Sequence, residues 1–210
     1  ALFFFEQGFN CSQEREWEAA IAHYERAIAV APNFYPAWSS RGMALRSLGR
    51  LEEAIISYDN ALAIKPDDAI TWYNRGIALE NLGRYEEAIA NYDQAIEFQP
   101  DDPDAWYNRG CLLVNLGRLE EAIASWDKAI ECQPSLHDAW NNRGLALANL
   151  GQYQEAIASY DRALEIRPDD FIAYCNRGNT LKKLGRYADA IASYNKTLEI
   201  QPDDHFAWYG

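Results

Sequence analysis

Basic residues are scarce in this chain. Lys and Arg total 19 against 32 Asp and Glu, a formal net charge of −13. Nucleic-acid binding rests on clustered Lys and Arg that neutralise phosphates, and an anionic membrane surface attracts the same clusters. No such basic run is present, so neither nucleic acid nor membrane is expected as a partner. Long apolar runs are missing too, and no stretch approaches the roughly 20 apolar residues of a spanning helix. The opening Ala1-Leu2-Phe3-Phe4-Phe5 is short for a signal-peptide core and has no basic leader. The chain starts without Met, and its last six residues begin a pattern they do not finish, so a fragment of a longer protein is expected.

Reactive side chains are few. The four cysteines, Cys11, Cys111, Cys132 and Cys175, form no C-x-x-C pair, and no His sits at metal-ligand spacing from them. They are expected to be reduced, mostly buried thiols in a reducing compartment, which points to the cytoplasm. The three histidines are His23, His137 and His205. No nucleophile, base and orienting group can be assembled from matching positions. The expectation is a chain without catalysis, metal or cofactor.

Order appears in the prolines. Pro32, Pro66, Pro100, Pro134, Pro168 and Pro202 are each 34 residues apart. Six units follow, at 1–34, 35–68, 69–102, 103–136, 137–170 and 171–204, with 205–210 opening a seventh. With the proline at position 32, position 4 is Phe4, Trp38, Trp72, Trp106, Trp140 and Tyr174. Position 8 is always Gly, position 20 always Ala, and position 24 always aromatic: Tyr24, Tyr58, Tyr92, Trp126, Tyr160 and Tyr194.

Each unit reads as two helices. Apolar and small residues at positions 4, 8, 11 and 14 follow helical spacing, as in Trp72, Gly76, Leu79 and Leu82. Gly83 and its equivalents Gly49, Gly117, Gly151 and Gly185 mark a turn at position 15, where the first unit has Arg15. A second stripe runs through positions 20, 21, 24, 27 and 28. Small residues at 8, 20 and 27 let the helices approach, and the rings at 4 and 24 fill the remaining space. Pro at 32 ends the second helix. The Asp at 33 and 34 that follow it in four units, through Asp203-Asp204, cap the next one.

This pattern resembles the tetratricopeptide repeat over the whole chain, six units in one frame without insertion or deletion. The resemblance implies an all-α, right-handed α-solenoid of stacked helix–turn–helix units, a single domain over 1–210. One hairpin cannot bury its own apolar face, and stacking does so. The solenoid's concave groove would be lined by positions 2, 6, 9 and 13 of the first helices, which share one face.

Along that stripe position 6 carries Asn74, Asn108, Asn142 and Asn176, and position 13 carries Asn81, Asn115 and Asn149. Asn has poor helix propensity, so its recurrence asks for a reason. A primary amide both donates and accepts, and a ladder of amides can pair with the backbone of an extended peptide. The ladder is similar to that of tetratricopeptide proteins that grip peptide backbone. The alternative is that Asn at 6 bonds a neighbouring turn and bridges units. Tyr73 and Tyr107, at position 5, are expected groove contacts beside Asn74 and Asn108. Met43, Ile77, Cys111 and Leu145 at position 9 make an apolar floor. The family's carboxylate clamp asks for Lys at 2 and Arg at 6, and neither is present. Lys182 and Lys183 are the only adjacent basic pair.

Position 7 holds Arg41, Arg75, Arg109, Arg143 and Arg177, and position 25 holds Asp59, Asp93, Asp127 and Asp161. Groove cations or an internal ladder of ion pairs both fit, and the internal ladder fits better.

The function expected is a non-catalytic scaffold that binds a protein or extended peptide. Two alternatives stand beside it. Uncapped ends, with Ala1 to Phe5 at one and Phe206, Trp208 and Tyr209 at the other, would stack into a homo-oligomer. The chain could also be a regulatory or targeting arm of a larger enzyme.

Overall fold

The structure, a computed structural model, describes residues 1–202. Asp203, Asp204, His205, Phe206, Trp208 and Tyr209 lie outside the described residues. The described residues form twelve helices and no strand: α1 Leu2–Gln13, α2 Trp17–Val30, α3 Tyr35–Ser47, α4 Leu51–Ile64, α5 Ala69–Asn81, α6 Tyr85–Phe98, α7 Pro103–Asn115, α8 Leu119–Cys132, α9 His137–Asn149, α10 Tyr153–Ile166, α11 Phe171–Lys183 and α12 Tyr187–Ile200. Each 34-residue period is one helix pair, and the class is all-α.

The turn inside each pair is set by position 15. Gly49 sits at φ +74°, and its N–H donates to the Arg46 carbonyl at 2.9 Å. The next N–H, of Arg50, reaches back to the Leu45 carbonyl at 2.9 Å. Together these bonds satisfy the last carbonyls of α3 in the left-handed helix stop that glycine favours. The same pair of bonds recurs at Gly83, Gly117, Gly151 and Gly185. Arg15 makes it too, at φ 62°, a left-handed conformation that costs a side chain with a Cβ.

Glycine at position 8 has a different reason. A Cβ at Gly42 would lie 2.5 Å from the Tyr58 ring, and one at Gly144 would lie 2.7 Å from that of Tyr160. The position-24 tyrosine ring therefore presses its Cδ1–Cε1 edge against the first helix at its glycine. These rings are the deepest large side chains: Tyr24, Tyr58, Tyr92, Trp126 and Tyr160 are each at most 2 % exposed. The alanines at 20 and 27 surround them, and all are buried.

The rings at position 4 sit differently from the fillers expected. They are only half-buried. The Trp38, Trp72 and Trp140 indole N–H groups donate to the carbonyls of Pro32, Pro66 and Pro134 at 2.9, 2.8 and 3.1 Å. Each thereby pins the connection between successive units. Asp68, Asp102 and Asp170 are N-caps whose carboxylates accept first-turn backbone N–H groups, as expected. Cys132 is exposed and the other three thiols are half-buried, shallower than expected.

The helices group into two compact units, Ala1–Pro100 with α1 to α6 and a second from Asp101 with α7 to α12. In the first unit each helix packs on the next, and α1 touches α3, which touches α5. In the second, α7 touches α9, which touches α11. First helices of neighbouring repeats thus lie side by side within each unit, which brings their stripes together.

Candidate functional site

The arginine column is committed internally. Arg143 donates through Nε to Asp127 at 2.6 Å and through Nη1 to the Ser159 hydroxyl at 2.6 Å. Arg177 repeats this with Asp161 at 2.7 Å and Ser193 at 2.8 Å, and Arg75 with Asp59 at 2.8 Å and the Asn91 amide at 3.0 Å. Arg41 uses Glu25 and Ser57, and Arg109 donates to Ser125. The guanidinium fork ties position 25 of one repeat to position 23 of the next. Position 23 carries no obvious signal in the sequence. Its Ser57, Asn91, Ser125, Ser159 and Ser193 are all buried, which marks them in retrospect.

The amides divide into two groups. At position 6, Asn74 is buried; its Nδ2 donates to the Ile70 carbonyl at 2.9 Å and its Oδ1 accepts from Arg46 at 3.4 Å. Asn142 donates to the Tyr107 hydroxyl at 3.1 Å, and Asn176 donates to Asn141 Oδ1 at 3.2 Å. Both bonds link position 6 of one repeat to position 5 of the preceding one. Asn108 is half-buried and also bonded. At position 13, Asn81, Asn115 and Asn149 are exposed, and their amides have no partner among the described residues.

The tyrosines serve two surfaces. The Tyr73 ring packs on Tyr92 with centroids 5.7 Å apart. Tyr107 is half-buried, and burial, reinforced by Cys111, pushes its pKa above the ordinary phenol value.

Cavities open between the first helices in a repeating register. One of about 180 Å³ has Cys111, Val114 and Trp126 on one side and Asn142, Leu145 and Asn149 on the other. A second, of about 620 Å³, runs from Ala148, Asn149 and Tyr160 to Asn176, Lys182 and Lys183. In the first unit a cavity of about 210 Å³ lies between Ser12, Trp17 and Tyr24 and Met43, Arg46 and Ser47. Each is built from positions 9, 12 or 13, and 24 of one repeat and positions 9 and 13 of the next. Positions 12 and 24 are not among the groove positions expected from the sequence.

The polar tip of position 24 meets position 12. Tyr24 hydrogen-bonds Ser12 at 3.0 Å, and Tyr92 donates to the Glu80 carboxylate at 2.7 Å. The Tyr58 hydroxyl makes no hydrogen bond, but the Arg46 guanidinium at position 12 lies beside it and lowers its pKa against the effect of burial. Where position 12 is Val114 or Ala148 the side chain offers no polar atom at all. There Trp126 Nε1 and the Tyr160 hydroxyl are buried without a hydrogen-bond partner.

Among the described residues no group of His, Cys, Asp and Glu is placed to hold a metal ion, and no helix is long and apolar enough to cross a membrane.

A run of paired helices with internal staples at fixed register defines an all-α repeat protein. Sequence profiles described as tetratricopeptide repeat match residues 23–56, 107–171 and 171–204, and one described as TPR repeat matches 42–83 and 81–117. The chain belongs to the tetratricopeptide repeat family. Among solved structures it is similar to YrrB, described as a TPR protein with an unusual peptide-binding site, with a TM-score of 0.81 and 26% identity over 89% of this chain and 96% of that one. MamA gives 0.76 and 23% over 80% and 92%, and Pseudomonas aeruginosa PilF gives 0.79 and 17% over 98% and 94%; both show the fold. An uncharacterized protein of Methanocaldococcus jannaschii is 41% identical over 53 residues, 25% of this chain and 62% of that protein's length. The coarse function that follows is a protein-interaction scaffold.

Proposed function

We propose that the chain is a non-catalytic scaffold that holds an extended peptide along the position-6, -9 and -13 stripe that the first helices form within a compact unit. The observation that carries this reading is the state of the position-13 amides. Asn81, Asn115 and Asn149 are exposed and unbonded within helices, where Asn is a poor choice for stability. An amide kept at such a position, beside cavities walled by Cys111 and Leu145, suits a peptide backbone with apolar side chains. Asn142 and Asn176, already spent on repeat-to-repeat bonds through Nδ2, offer their Oδ1 atoms as acceptors, and Tyr107 adds ring surface. Asn74, Asn108 and Tyr73 contribute chiefly by holding the stripe in shape. The YrrB likeness, with its peptide-binding site, leans the same way.

Panning a random peptide library against wild type and an Asn81→Ala, Asn115→Ala, Asn149→Ala variant tests it. Exposed and unbonded, these amides can be removed with little effect on the melt. Wild type should select peptides that the variant fails to retain. Equal selection by both, or by neither, would remove the stripe as the site.

A further inference from the structure

We propose that the 620 Å³ cavity between the fifth and sixth repeats is a pocket for the carboxylate of a glutamate side chain, carried by the extended peptide that the stripe holds. The inference rests on that peptide-binding reading and deepens it.

Three observations converge on the pocket. The first is the Tyr160 hydroxyl. The residue is 0% exposed, and its hydroxyl is buried with no hydrogen-bond partner. In the same register Tyr24 and Tyr92 bond the side chain at position 12; here that side chain is Ala148, which lines the cavity and offers no polar atom. The neighbouring Thr180 hydroxyl donates to the Asn176 carbonyl, and its oxygen does not meet the Tyr160 hydroxyl in hydrogen-bond geometry. Burial pushes the Tyr160 pKa up to about 12, so the hydroxyl stays protonated and can only gain by donating to an acceptor.

The second observation is charge. Lys182 and Lys183 are exposed on the wall of the same cavity, and neither pairs with a carboxylate among the described residues. Lys183 instead lies 5.8 Å over the Tyr153 ring. Of the five lysines in this chain of net charge −13, Lys65, Lys128 and Lys196 pair with carboxylates, and Lys182 and Lys183 do not. No Asp or Glu lines the cavity.

The third is the donor balance. Asn149 brings an uncommitted amide N–H, so the amide and two ammonium groups present accessible donors without a matching acceptor, beside a hydroxyl that is unpaired but sealed from solvent. A carboxylate accepts about four hydrogen bonds and carries the opposite charge. A side chain is favoured over a chain terminus because stripe amides flank the pocket on both sides, Asn149 on α9 and Asn176 on α11, so the peptide backbone continues across it. The orphan hydroxyl lies deep, which suits Glu with its extra methylene.

The test uses two random dodecapeptide libraries, one with Glu fixed at the centre and one with Gln. Both are panned against wild type, a Lys182→Gln, Lys183→Gln variant and Tyr160→Phe. The lysines are exposed and Phe keeps the ring, so the fold is retained. Wild type should enrich the Glu library about tenfold or more over the Gln library. The double variant should abolish the preference, and Tyr160→Phe should reduce it without lowering the melting temperature. Equal enrichment of both libraries on wild type overturns the pocket while leaving the stripe standing. Enrichment of neither library overturns both. A selected peptide that loses binding when its C-terminus is amidated places the terminal carboxylate in the pocket and overturns the side-chain assignment.

Discussion

The two compact units share a scaffold and differ in what they put beside it. In Ala1–Pro100 every position-12 residue is polar: Ser12, Arg46 and Glu80. Ser12 and Glu80 bond the buried phenols of Tyr24 and Tyr92. Arg46 is turned toward Asn74 and leaves the Tyr58 hydroxyl without a bond, yet its charge partly offsets the burial that holds that pKa at about 12. From Asp101 onward, position 12 is Val114, Ala148 and Lys182; the buried donors of Trp126 and Tyr160 are unpaired, and Tyr194 donates to Asn179 instead. Leaving a buried donor unpaired costs about 1–3 kcal/mol. At position 24 one polar tip of three is unpaired in the first unit and two of three in the second, while the first unit has unpaired atoms of its own elsewhere, His23 Nδ1 and Arg46 Nε.

The largest expected effect tests what the halves share. Tyr92→Ala and Tyr160→Ala should each cost about 3–5 kcal/mol in urea melts, because both rings are fully buried against the position-8 glycine. A marked difference between them would mean that the packing differs, not only the polar partner. Next in size is Glu80→Ala, which makes the first unit resemble the second. It should cost about 1 kcal/mol by orphaning the Tyr92 hydroxyl. The first repeat offers a gain of similar size: Arg15→Gly should stabilise by about 1 kcal/mol, since it relieves the φ of 62° at a position where the other repeats have glycine. The smallest change converts the second unit to the first. Ala148→Ser supplies Tyr160 with the partner that Ser12 gives Tyr24, and should raise stability by about 0.5–1 kcal/mol in the same melts.

Most of the scaffold is readable from periodicity alone. The 34-residue frame places the helix pairs, the glycine turns at position 15, the caps Asp68, Asp102 and Asp170 and the Arg–Asp column, because each is a local rule or a pair that recurs in fixed register. Depth is not readable in this way. Trp at 4 and the ring at 24 look equivalent in a helical pattern, yet only the second is buried, since it faces a glycine on its partner helix while the first reaches a loop carbonyl. The amide ladder is legible as a stripe but not in its bonds, because the partner of Asn142 lies 35 residues away on a neighbouring helix. Position 12 is hidden for the opposite reason. It varies from Ser to Arg, Glu, Val, Ala and Lys, and a search for repetition passes over what does not repeat, although that variation distinguishes one cavity from the next.

The central claim is that the uncommitted amides meet the ligand, and side-chain amide NMR reads it most directly. A peptide selected by panning is titrated into the labelled protein while the Asn side-chain NH₂ signals are followed. Asn149 and Asn115 should shift and saturate together, while Asn60, which lies on α4 and is bonded to its own helix at the Ile56 carbonyl, stays still. Movement of Asn60 with Asn115 and Asn149 unchanged would contradict the account and place the ligand on the second helices.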